Sequence, residues 1–507
     1  RGSWGRQPAV GGAAPASRAS GGAIARPKKG RSIPKDGLPG HNGALASGND
    51  GGSRASTGDR GRPPSRPPRR GLLRVLSAWE GAAIGIGVAI GAGIFRTPGY
   101  VAGYFSSPGK VLFVWALGTL LVLGDCLVLA ELATRVPRAG GWYAYIEEGW
   151  GRFPAFVYGW TYMLVVDPAS SAALVVVLGE FLASLFGWSA RGGLVAGVTV
   201  TLGLFATSLA GIRLGSRVQD ALTYLKLAAL GGIALAALFL AAPASAPAVA
   251  IPTASGLLAV GLALQGVLWT FEGYANTTTM TEESVDPRRS LPRALLVGTA
   301  AVGVTYLVVN AAYLHVLGLG GLQASASPGA DLSARLFGGA GRTIFLLLAI
   351  LAALGSLNGA ALSAPRVTYA LGRSRLAPEI FTRVTRLGTP DLATLWFAFA
   401  WTVYACVGSF ESLVSVSVFI GALCNVAVTA TLFAHRRREA AGLAPPAQRI
   451  FRMPFYPVLP LLMLVLWSAF AAAVLYDQGW KVGYGLLATL VAAGAYFLMK
   501  RTDRIDG

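Results

Sequence analysis

The chain has 507 residues, of which 54% are hydrophobic and only 13% charged, with a formal net charge of +20. The apolar residues fall in long runs of about 18 or more, the length a helix needs to cross hydrocarbon. This excludes aqueous enzymes and nucleic-acid binders and leaves an all-α integral membrane protein with many spans.

Residues 1–70 carry 14 Lys/Arg against 3 Asp/Glu and are rich in Gly, Ala, Ser, Pro and Arg, as in "GRPPSRPPRRG". With so few large apolar side chains the segment cannot offset the entropy of ordering. It reads as a disordered basic cytosolic tail able to touch anionic lipid. Residues 71–507 form the core, with twelve spans expected at about 76–105, 109–133, 155–186, 192–211, 217–242, 257–281, 294–318, 342–373, 392–409, 412–434, 457–476 and 480–499. If the tail is cytosolic, the inner segments hold twenty Lys/Arg and the outer segments five. That asymmetry supports the count and places both termini in the cytosol.

Two spans are interrupted. Span 1 breaks at "AIGAGIFRTPG", Ala89 to Gly99, and span 6 at "WTFEGYAN", where Glu272 and Gly273 stop an apolar helix. They are corresponding members of two five-span halves, about 76–242 and 257–434, with extra helices at about 457–499. Interrupted helices at matching positions point to a transporter built from inverted repeats, with its site at mid-membrane. Backbone groups freed by a break need partners. The half-helix restarting after Gly93 offers amides to an anion, and the half ending near Ile90 offers carbonyls to an ammonium. A carboxylate subsite beside an ammonium subsite describes an α-amino acid. Gly91, Ala92 and Gly93, with Ala89 and Ile90, are the candidate backbone site; close helix packing is the competing explanation for the glycines.

Ionisable residues inside spans are candidates for function. Lys226 in "LTYLKLAALGG" carries a coupling proton, serves as a fixed cation, or snorkels to the inner interface. Glu272 faces substrate, carries a proton, or is satisfied by amides of the break. Asp167 before Pro168 is expected to cap the helix that Pro168 restarts, with a proton-relay role as the alternative. Glu282 and Glu283 stand beside Arg288, Arg289 and Arg293 as gate or loop ion pairs, and Arg366 reads as an inner-surface anchor. Cys126, Cys406 and Cys424 lie in apolar runs without a CxxC spacing and read as buried hydrophobes. His41, His315 and His435 sit at different depths, so no metal site is expected. No phosphate-binding loop or other cofactor motif is present.

Four stretches carry a resemblance. "GAAIGIGVAIGAGIFRTPG", "LAELATRVPRAGGWYAYIEEGWGR", "DPASSAA" and "FEGYANTTTMTEESVDPRRSLPRAL" occur in the order found in the amino acid–polyamine–organocation transporter family, closest to its L-type amino acid transporter branch. The resemblance implies a LeuT-type fold with a 5+5 inverted repeat, alternating access and amino acid transport. By motif position it assigns Trp269, Thr270, Phe271 and Glu272 to the unwound helix 6, Trp269 as an aromatic gate, and Lys226 to the place of a second sodium site. Ala92 stands where the family usually has serine. Asp167 replaces a basic residue, and Glu272 a glycine of many L-type members, which favours a cationic or polar substrate. The turn "FGWSAR" has no cysteine, so no disulfide-linked heavy chain is expected. The expected function is secondary transport of amino acids, proton-coupled or exchanging, with a polyamine carrier or a transporter-like sensor as alternatives.

Overall fold

The computed structural model describes residues 71–91, 93–244, 256–325, 327–443, 450–479 and 483–501. The expected tail at 1–70 and the site residue Ala92 lie outside them. The first helix, α1 (Ala78–Ala89), starts at a capping box. Glu80 N–H donates to the Ser77 hydroxyl, and Ser77 N–H donates to the Glu80 carboxylate at 2.6 Å. It stops at Ile90, and α2 (Gly93–Ala102) resumes the span. The interruption expected in span 1 is thus present.

The helices that follow are α3 (Pro108–Arg135), α4 (Trp142–Trp150), α5 (Arg152–Thr161), α6 (Asp167–Phe186), α7 (Ala190–Leu209) and α8 (Ile212–Leu240). Span 6 begins as α9 (Gly256–Thr270), turns at Phe271–Gly273, and continues as a 3-10 helix, Tyr274–Glu283. The remainder are α10 (Pro287–Ala324), α11 (Pro328–Phe337), α12 (Gly341–Arg373), α13 (Asp391–Val407), α14 (Phe410–Ala440), α15 (Val458–Gln478) and α16 (Gly483–Arg501). Among the described residues eight helices are long and apolar enough to cross a membrane, and Ala78–Ala89, Asp391–Val407 and Gly485–Phe497 are shorter apolar helices. The protein is therefore an all-helical, multi-pass membrane protein. Two helices fall where loops were expected: α4 between spans 2 and 3, and α11 between spans 7 and 8.

Asp167 does not cap a helix. Span 3 runs on through a π-helical turn, Tyr162–Val166, into α6, and no side chain caps its start. Pro168 lacks an N–H and collides with the carbonyl four residues earlier, so the helix widens. The carbonyl it displaces, that of Leu164, accepts the Tyr404 hydroxyl at 2.6 Å instead.

Helix contacts divide into two groups. In one, α1, α2, α3, α9 and α10 pack on one another, around a core that includes Trp115, Val267 and Tyr306. In the other, α6, α7, α12 and α13 pack together, around Ala172, Phe205, Leu357 and Trp401. Helix α8 lies against α1, α10 and α12, and α14 against α4, α6 and α15. Small residues bring backbones together in the second group: a methyl added at Gly179 of α6 would come within 2.7 Å of the Gly193 carbonyl of α7. In lipid, where apolar burial alone does not drive helix association, such close packing does.

Candidate functional site

The break in span 1 leaves the last carbonyls of α1 without helical donors. Neighbouring side chains take them. Lys226 Nζ of α8 donates to the carbonyls of Gly87 at 2.8 Å and Ile90 at 2.6 Å, and lies 3.4 Å from that of Ala352. Ser356 of α12 donates to Val88 at 2.9 Å and lies 3.1 Å from the Gly87 carbonyl. The carbonyls expected to stand free for a substrate ammonium are thus already held by the protein's own cation and hydroxyls. Lys226 is 1% exposed and does not snorkel.

The break in span 6 sits directly opposite. Gly273 has φ +103°, a conformation side chains rarely adopt, and a Cβ there would run into Val88 of α1. A Cβ on Gly93 would lie 3.1 Å from Thr270 Cγ2. Glycine is thus needed at both breaks because the two unwound segments touch. Tyr306 of α10 joins them: its hydroxyl lies 2.9 Å from the carbonyls of both Ala89 and Thr270. The Phe271 ring packs edge-on against Tyr306, 4.9 Å between centroids.

Between the breaks lies a cavity of about 180 Å³. A water needs roughly 10–15 Å³ of such space, so there is room for a small organic molecule. Ala89, Gly91, Gly93, Trp269, Thr270 and Glu272 line it. The side chains of Ile90 and Phe271 are fully buried elsewhere, and Lys226 lies behind α1 outside the lining. Sequence position therefore brings together six of the nine candidate binding residues, and separates the coupling candidate Lys226 from Glu272.

Among the described lining side chains the charged ones are Glu272 and Asp167; Lys, Arg and His are absent. The Asp167 carboxylate accepts the Trp401 indole N–H at 2.9 Å and lies 3.4 Å from the Tyr162 hydroxyl. Glu272 is not held by the amides of the break; its carboxylate faces Gly421, where a Cβ would lie 3.3 Å from Oε1. Aromatic side chains Trp142, Tyr158, Tyr162, Trp269, Trp467 and Phe470 complete much of the wall.

The end of span 6 carries ion pairs. Glu283, at the end of the 3-10 segment, pairs with Arg366 of α12 through two bonds, 2.7 and 3.1 Å long, and both side chains are wholly buried. Glu282 pairs with Arg373. The partners are thus on α12, not the sequence-adjacent arginines 288–293, and Arg366 is an internal ion-pair member, not a surface anchor. Nearby, buried Glu131 of α3 accepts from Arg135, Arg436 and the Met453 amide, tying α3 to α14 and to the segment before α15.

Sequence reasoning missed three residues. Tyr306 and Ser356 are uncharged and gave no signal. Asp125 did: it is a lone carboxylate in the apolar run "TLLVLGDCLVLA". It is 1% exposed and accepts the hydroxyl of Tyr274.

Comparison with known proteins bears on this arrangement. A family model described as amino acid permease matches residues 76–495. The chain is 28% identical to the serine/threonine exchanger SteT of Bacillus subtilis (strain 168) over 437 residues, which cover 85% of this chain and 98% of the exchanger. It is 28% identical to the human b(0,+)-type amino acid transporter 1, covering 85% and 89% of the two chains. It is 27% identical to the human cystine/glutamate transporter, covering 91% and 92%.

Proposed function

The chain belongs to the amino acid permease family and is an amino acid transporter, and from that premise we propose that it exchanges amino acids with cationic side chains through the cavity between the two breaks. The observation that carries the substrate class is the charge of the wall: Glu272 and Asp167 line it and no described basic side chain does. A carboxylate at mid-membrane is offset by donors or by a counter-charge. Asp167 has donors in Trp401 and Tyr162, whereas the Glu272 carboxylate has no partner among the described residues, and the substrate cation supplies it. Aromatic side chains around them suit an ammonium or guanidinium.

The substrate α-carboxylate sits at the amides that open α2, where the helix dipole and unpaired N–H groups favour an anion. Glu272 takes the side-chain cation. Lys226 acts as a fixed cation at the end of α1, holding carbonyls that would otherwise lack donors. A cation so engaged does not have to shuttle, which favours exchange over proton coupling. Exchange is also the activity of a relative, the serine/threonine exchanger SteT.

On this reading the fold has twelve spans in a LeuT-type 5+5 inverted repeat plus two, with both termini cytosolic. The two packed groups of helices are the bodies that rock to expose the cavity to each side in turn. The turn at Gly187–Ser189 holds no cysteine, in keeping with work without a disulfide-linked heavy chain.

Glu272→Gln tests the substrate class. The ratio of labelled lysine uptake to labelled leucine uptake in proteoliposomes is expected to fall about tenfold or more, the loss of one charge-assisted contact. An unchanged ratio contradicts the assignment. Uptake of putrescine but of no amino acid would instead identify a diamine carrier.

A further inference from the structure

We infer that Asp125 is a positioning residue for the side-chain end of the substrate cavity, acting through Tyr274 to set the wall formed by Tyr274, Asn425 and Trp467. The inference rests on the reading of the cavity as the amino acid site.

Asp125 lies within α3 and does not itself line the cavity. Its carboxylate accepts the Tyr274 hydroxyl, and the side chains of Trp467 and Thr429 also reach it. These three groups come from three different elements: the 3-10 segment of span 6, α15 and α14. Among the described residues no arginine or lysine shares the cluster. A carboxylate this deep is tolerated only when donors replace its water shell. The Tyr274 bond therefore ties the unwound segment of span 6 to α3.

What the cluster holds is the cavity wall. Tyr274, Asn425 and Trp467 all line the cavity. The Tyr274 hydroxyl also lies 3.4 Å from the Asn425 amide oxygen. Tyr274 directly follows Gly273, whose positive φ turns the chain out of α9, and stands two residues after Glu272. The bond to Asp125 thus pins the unwound segment to α3 at the point where Glu272 is presented.

Without the bond, the wall facing the far end of the substrate side chain loses its position, while the backbone amides at α2 do not. The effect therefore grows with side-chain length. The test uses the full chain in proteoliposomes with two amino acids that are both dicationic at neutral pH and differ in length, labelled lysine and labelled 2,4-diaminobutyrate. For Asp125→Asn, KM for lysine is expected to rise about tenfold, the worth of one buried hydrogen bond, with Vmax within about twofold. KM for the shorter amino acid is expected to change by less than about threefold. Asp125→Asn weakens the bond by making its acceptor neutral, whereas Tyr274→Phe deletes it by removing one oxygen and is expected to show the split at least as strongly. The double variant is expected to be no worse than Tyr274→Phe alone, because the bond is then already gone.

Equal changes for the two amino acids, a fall in Vmax at constant KM, or multiplying effects in the double variant would overturn the inference. If Asp125→Asn gives no folded protein, Tyr274→Phe carries the same test alone. If the unaltered protein takes up neutral but not dibasic amino acids, the substrate class fails on its own. The length dependence is then read on leucine and alanine.

Discussion

Uptake by Lys226→Met is expected to fall at least about a hundredfold, and to fall at every pH. Lys226 donates to two carbonyls at the end of α1, at 2.8 and 2.6 Å, and is buried. Each charge-assisted bond contributes roughly 1.5–3 kcal/mol, so losing two corresponds to two orders of magnitude or more. Methionine keeps the volume of the stem but leaves the carbonyls of Gly87 and Ile90 short of donors where no water replaces them. The break then relaxes and the amides of α2 lose their aim. The measurement is uptake from pH 5.5 to 8.5, normalised to monodisperse protein recovered from the liposomes. Retained uptake with only its pH dependence abolished would instead make Lys226 the proton carrier.

The second large effect concerns stability. Arg366 and Glu283 form an ion pair that is wholly buried between α12 and the end of span 6. Removing one partner of such a pair leaves an uncompensated charge and costs about 3–5 kcal/mol, whereas replacing both by apolar groups is often neutral. Arg366→Met is therefore expected to lower the thermal midpoint in detergent by several degrees and to reduce the yield of monodisperse protein. The double variant Arg366→Met/Glu283→Leu is expected to regain most of the loss. An Arg366→Met protein that melts like the unaltered one would remove the pair from any role in holding the end of span 6 to α12. The backbone adds to this junction. The Glu283 carbonyl accepts the amides of Val75 and Leu76, both at 2.8 Å, so the segment leading into α1 is fastened to the end of span 6.

Much of the fold was legible because lipid imposes a simple pattern. Apolar runs marked the helices, and glycines marked the breaks at Gly91–Gly93 and Gly273. Glu272 and Lys226 stood out as charges inside those runs. Partner choice was not legible, because spacing along the chain does not say which helix a side chain meets. Arg366 looked like an interfacial anchor beside Arg373 and Arg375, yet its partner lies 83 residues away on another element. The same limit hid where the carbonyls of α1 go: their donors come from α8, α10 and α12. Asp167 misled because Asp before Pro usually opens a helix. Here the preceding turn widened instead, and the carboxylate found an indole on α13.

The most direct test of the exchange mechanism is labelled lysine uptake into proteoliposomes without any ion gradient, comparing lumens that are empty and lumens loaded with unlabelled lysine. Saturable uptake that appears on loading and is competed by external arginine is the expected result. Uptake into empty vesicles driven only by an inward proton gradient would contradict exchange, and no lysine uptake in either case would contradict the cationic substrate class.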